Sequence, residues 1–139
     1  MSSTIPTPAQ SQAAPAMLAH YDFAGVSSTI VPDQTGNGFS GVLRGCDRGG
    51  ALMDESSVFG RTLPVLRLTG NENGGHLQLP DGILNGADGI TVSFYCRIDS
   101  PGEYSNLFSF GADRCFYLSV LPGEEDKGHV YLSPCTTTG

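Results

Sequence analysis

The sequence predicts an all-β fold rich in turns, and three observations lead there. Hydrophobic residues make up 39% of the 139 residues and charged residues only 15%, a balance that excludes a solvated, disordered chain and allows one buried core. Nineteen glycines and nine prolines punctuate short apolar runs, as they do where strands are joined by tight turns. No stretch of useful length repeats at helical spacing, whereas Ile90, Val92, Phe94, Cys96 and Ile98 alternate strictly with Thr91, Ser93, Tyr95 and Arg97, the period of a pleated strand. The same composition sets limits on partners. A net charge of −7 with only seven scattered Lys and Arg speaks against nucleic acid, whose phosphates demand clustered cations. No segment approaches the roughly 18 apolar residues of a membrane-crossing helix.

The elements follow in order. Residues 1–16 lack the basic start and apolar stretch of a secretory leader, and their Pro, Ala, Ser, Thr and Gln content reads as a flexible linker or tag. Residues 17–139 form the organised unit. A first strand is expected over Leu18-Ala19-His20-Tyr21-Asp22-Phe23, ended by Gly25. A loop follows at residues 32–38, where Asp33 favours an Asx turn and Asn37-Gly38 tolerates positive φ. Short strands are expected at 40–44, 65–68 and 76–79, then one helical turn or tight loop at 81–86. The strongest strand is expected at 90–98, with Cys96 on its apolar face behaving as a small hydrophobe, and another at 106–110.

The last two strands allow a register to be assigned. Residues 115–121 and 129–135 flank a polar, glycine-bounded turn at 122–128. Pairing in which opposite numbers sum to 250 sets Leu118 against Leu132 and Val120 against Val130 on one side. Tyr117 then faces Ser133, and Ser119 faces Tyr131, on the other. A slip by one residue would set apolar against polar throughout. This register also sets Cys115 opposite Cys135, the favoured disulfide among the three connectivities that four cysteines allow. The even count points to an extracellular setting, secreted or at the cell surface, while free buried thiols remain the alternative. The spacings, none of them C-x-x-C, speak against zinc.

Taken together, several runs in this order carry a resemblance. They are Leu18 to Phe23, then Val31-Pro32-Asp33-Gln34-Thr35-Gly36-Asn37-Gly38 with Gly41-Val42-Leu43. After them come Val65-Leu66-Arg67-Leu68-Thr69-Gly70, His76 to Leu84, Ile90 to Ile98, and Leu107-Phe108-Ser109-Phe110-Gly111. The chain resembles the laminin-G-like, concanavalin-A-like jelly-roll modules of secreted bacterial carbohydrate-active and adhesive proteins. The resemblance implies a jelly-roll β-sandwich that is incomplete in this chain, since such modules continue for several strands and include a tryptophan-containing pattern absent here. Either a second polypeptide supplies the remaining strands, or the sandwich is smaller and complete by itself.

The resemblance also implies a structural calcium ion (Ca2+) on the loop around Asp33 and Asn37, with Asp22 contributing. Calcium takes six to eight hard oxygens, and one carboxylate, one amide and loop carbonyls supply part of that shell. The alternative is an Asx turn at Asp33 with no ion. Catalysis is not expected. Glycan cleavage needs two carboxyl groups at set separation, and the acidic clusters Asp54-Glu55 and Glu124-Glu125-Asp126 fall in turn-like stretches. No nucleophile elbow, zinc-protease or phosphate-cradling motif occurs. Tyr95, Arg97, Tyr117 and Tyr131 are the expected ligand-binding residues, since sugar sites present aromatic faces rimmed by polar groups. The expected function is a non-catalytic, lectin-like accessory module that binds a glycan. The alternative is a structural or adhesive module that contacts a neighbouring protein domain.

Overall fold

The computed structural model describes residues 4–5, 16–70, 74–99, 105–110, 116–121 and 129–133. Eight strands and one 3₁₀ turn make up its regular structure. They are β1 (Ile30–Val31), β2 (Gly41–Arg44), the 3₁₀ turn Cys46–Arg48, β3 (Ala51–Val58), β4 (Arg61–Leu68), β5 (His76–Gln78), β6 (Ser105–Phe110), β7 (Phe116–Leu121) and β8 (His129–Ser133). All ladders are antiparallel, in three sheets ordered β1-β2-β5, β3-β4 and β6-β7-β8. The all-β expectation therefore holds.

The register of β7 on β8 is Tyr117↔Ser133, Leu118↔Leu132, Ser119↔Tyr131 and Val120↔Val130, the pairing in which numbers sum to 250. The cysteines that would extend it, Cys115 and Cys135, lie outside the described residues, as do the acidic turn at 124–126 and most of the expected linker.

The buried apolar side chains among the described residues are Val31, Leu43 and Ala51. One comes from each of β1, β2 and β3, so the tightest packing lies where the first sheet meets the start of the β3–β4 hairpin. The junction is a close backbone crossing. A Cβ on Gly75 would stand 1.9 Å from the Gly50 carbonyl oxygen, so only glycine fits there. That same oxygen accepts from Thr69 N at 3.0 Å.

Five expectations are corrected. Residues 18–23 form no strand; side chains of the 33–39 loop hold them instead of a ladder. Asp54 and Glu55 lie within β3, not in a turn, and 65–68 is only the end of the longer β4. The 90–98 segment, expected as the strongest strand, joins no ladder among the described residues, and residues 91–99 are all exposed. Cys96 is accordingly an exposed free thiol, not a packed hydrophobe. Alternation dictates which face of a strand is apolar, but a ladder also needs an open edge beside it.

The β3–β4 hairpin closes through Phe59-Gly60, with φ of 50° and 74°. Positive φ at both positions is the signature of a type I′ turn, which matches strand twist and favours Asn-Gly. A two-residue loop makes Val58 and Arg61 a hydrogen-bonded pair, after which bonded and non-bonded pairs alternate. Glu55↔Pro64 then falls at a non-bonded pair, where proline removes no bond from the hairpin.

Candidate functional site

Two places gather polar or aromatic side chains. The first is the loop expected to hold calcium. Asp33 Oδ1 accepts from His20 N at 3.1 Å and Thr35 N at 3.0 Å, while Oδ2 accepts from Phe39 N at 3.1 Å. The Thr35 hydroxyl lies 2.8 Å from both oxygens. The contact two residues on is an Asx turn, which short acidic side chains make readily. Partial desolvation pushes the Asp33 carboxyl upward, but the Thr35 and His20 N–H groups, the Thr35 hydroxyl and the Phe39 N–H together outweigh it and bring it down to about 2.

Around this hub, the Asn37 amide donates to the carbonyls of Met17 and Leu18 at 3.1 and 3.0 Å. Asp22 Oδ1 accepts from Ala24 N and Gln34 Nε2, both at 3.0 Å. The Tyr21 hydroxyl donates to the Phe39 carbonyl. Desolvation and the nearby Asp33 charge raise its pKa. A calcium ligand must offer lone pairs, and both Asp33 oxygens face hydrogen-bond donors. A cation drawn to Asp33 would compete with those N–H groups for the carboxylate oxygens. No cluster of three or more His, Cys, Asp or Glu positioned for a metal occurs among the described residues.

The second place lies beside the hairpin tip. Tyr95 is 85% exposed and Phe59 82%, with ring centroids 5.4 Å apart and planes at 81°. Next to them Arg97 makes a forked pair with Asp99, Nε to Oδ1 at 2.8 Å and Nη2 to Oδ2 at 3.2 Å. Hydrogen bonding and charge from Arg97 hold the Asp99 carboxyl below its ordinary value. Arg97 Nη1 also reaches Ser56 Oγ at 3.5 Å, which links the extended segment to β3. Of the four expected ligand residues, Tyr95 and Arg97 both meet the β3–β4 hairpin, at Phe59 and Ser56 respectively. Tyr117 and Tyr131 lie on β7 and β8, where only the backbone is described.

Phe59 was not expected here. Its signal in the sequence is a large aromatic directly before Gly60, between two strand-forming runs. That is a place where turn chemistry calls for Asn or Asp and solvation calls for a polar residue. An L-residue with a bulky ring at positive φ is a conformational outlier, and this one also leaves its ring in water.

Asp54 and Glu55, the acidic pair on β3, occupy successive strand positions and so point to opposite faces. Asp54 pairs loosely with Arg67 at 3.7 Å. Among known proteins nothing matches: no family model, no curated protein and no solved structure corresponds to this chain.

Proposed function

We propose that this chain is a non-catalytic, lectin-like module of jelly-roll, concanavalin-A-like type, secreted or displayed at a cell surface, that binds a glycan at Phe59, Tyr95 and Arg97. The observation that supports this most is the pair of solvent-facing rings, one of them held in a strained turn. Water opposes both, and backbone sterics oppose Phe59 as well; such costs persist where a ligand repays them. Aromatic faces receive the C–H faces of pyranose rings, while the Arg97–Asp99 fork offers donors and acceptors to ring hydroxyls. Rings set at nearly a right angle make a corner and not a flat strip. That shape suits a single soluble chain, gripped one sugar at a time, better than a crystalline polysaccharide surface. The non-catalytic part rests on the sequence, which offers no nucleophile-elbow, zinc-protease or phosphate-cradling motif.

The test is affinity electrophoresis through gels containing soluble β-glucans, xylans or mannans. One glycan should retard the chain, and Tyr95→Ala and Phe59→Ala should each release it with the far-ultraviolet circular dichroism unchanged. Undiminished retardation of both variants would remove this site from consideration.

The second reading, a protein-contact module, is favoured by one observation. The 90–98 segment presents Val92, Phe94 and Ile98 at 40–43% exposure with no ladder partner among the described residues, as a surface awaiting a neighbouring domain or a second polypeptide would.

A further inference from the structure

The groove between the 23–26 loop and the β3–β4 hairpin is lined by none of the residues of the aromatic corner. It is an open trough of about 600 Å³, lined by Phe23, Val26, Met53, Pro64 and the acidic pair Asp54 and Glu55, with Ala24 and Gly25 at its lip. Phe23, Val26 and Pro64 are half-buried and Met53 is exposed, so the trough offers accessible apolar side chains beside an equal share of polar surface. Phe23 adopts φ of 60°, a conformation that bulky residues avoid, and in it the ring forms part of the trough wall.

Backbone phase adds a second feature. Because Val58↔Arg61 is a bonded pair, the N–H and C=O of Met53 and Glu55 point away from β4, along the outer edge of β3. The Glu55 N–H bears this out: it donates to the preceding Asp54 carboxylate at 2.8 Å, not to the hairpin. Among the described residues nothing pairs with this edge, and an open strand edge beside a trough with apolar side chains is the geometry used for strand addition.

Charge decides the occupant. Asp54 accepts the Glu55 N–H and makes a long, exposed contact to Arg67, and no ion pair engages Glu55 among the described residues. The chain as a whole carries −7, so long-range attraction favours a cation. The trough is too open to enclose a small molecule, and its β3 residues Met53 to Glu55 lie along one strand.

We propose that this trough is a docking site for an extended peptide segment bearing lysine or arginine, added along the outer edge of β3. Aliphatic stems would lie on Phe23, Met53 and Pro64, with a charged end on Glu55.

The experiment uses the full chain, ¹⁵N-labelled, and two capped seven-residue peptides, one alternating valine with lysine and the other valine with glutamate. The valine–lysine peptide should shift the amide resonances of 23–26 and 53–55, and 0.5 M salt should weaken its binding several-fold. Glu55→Gln should weaken it several-fold, and Phe23→Gly, which relieves the backbone as it removes the ring, should do the same without unfolding the chain. Equal response to both peptides would overturn the proposal. Shifts confined to 90–98, or a concentration-dependent dimer whose contact occupies the trough, would overturn it as well.

Discussion

The stretches 17–23 and 90–98 both lie outside the ladders found among the described residues, yet they are held in opposite ways. The first is fastened by side chains. Asp33, Asn37 and Gln34 reach back 12 to 20 residues to grip the main chain at His20, Met17 and Leu18 and the side chain of Asp22. The second has the better strand pattern, and among the described residues its attachments include Phe94 edge-on to Phe108 at 6.2 Å, Tyr95 against Phe59 and Arg97 on Ser56. Polar loop chemistry can therefore order a segment locally where hydrophobic alternation cannot, because alternation needs a second surface and a carboxylate needs only nearby N–H groups.

The largest expected effect attacks the first region. Asp33→Asn replaces one acceptor oxygen with a donor amide that faces other donors, and Tm should fall by about 5 °C or more in differential scanning calorimetry. The same variant sharpens the comparison through pH. With the folded carboxyl at about 2 against an ordinary 3.8, its stabilisation is fully present above about pH 4 and is lost as pH falls towards 2. The wild-type chain should lose stability across that window, and Asp33→Asn should show a shallower decline in acid titrations of urea unfolding. Calcium at millimolar concentration should leave Tm unmoved in both; a rise in the wild type alone would mean that the loop rearranges to bind the ion.

A smaller effect is expected in the second region. Phe94→Ala removes an edge-to-face contact from a ring that is already 43% exposed, and should cost about 1 kcal/mol in urea unfolding. A loss as large as that at Asp33 would show that 90–98 is held far more firmly than its contacts indicate. The smallest change has the opposite sign. Phe59→Asn supplies the residue that a type I′ turn prefers and should raise stability by about 0.5 kcal/mol, while abolishing glycan retardation.

The same contrast explains what the sequence reveals. The register of 116–121 on 129–133 was legible because apolar alternation and a polar, glycine-bounded turn agreed. The Asx turn at Asp33 was legible from residue type. β3 was not, because Ala-Leu-Met-Asp-Glu-Ser-Ser-Val has no period of two, and its outer positions stay in water on both faces. The hairpin tip was hidden because Phe59 occupies a place where Asn or Asp would have announced a turn. For the candidate site, Tyr95 and Arg97 could be read from the polar face of an alternating run. Their neighbour Phe59 could not, since the contact spans 36 residues and depends on a hairpin that the sequence concealed.

Pro64 bears on how copies of this chain would stack. Among the described residues the hairpin has two unpaired flanks, and a ribbon with two receptive flanks can polymerise without limit. On β4 the flank meets a ring nitrogen that carries no hydrogen, so growth from that side would be interrupted at every copy. A strand that joins β3 would therefore close the ribbon at three, and the molecule would cap its own polymerisation while keeping one flank receptive.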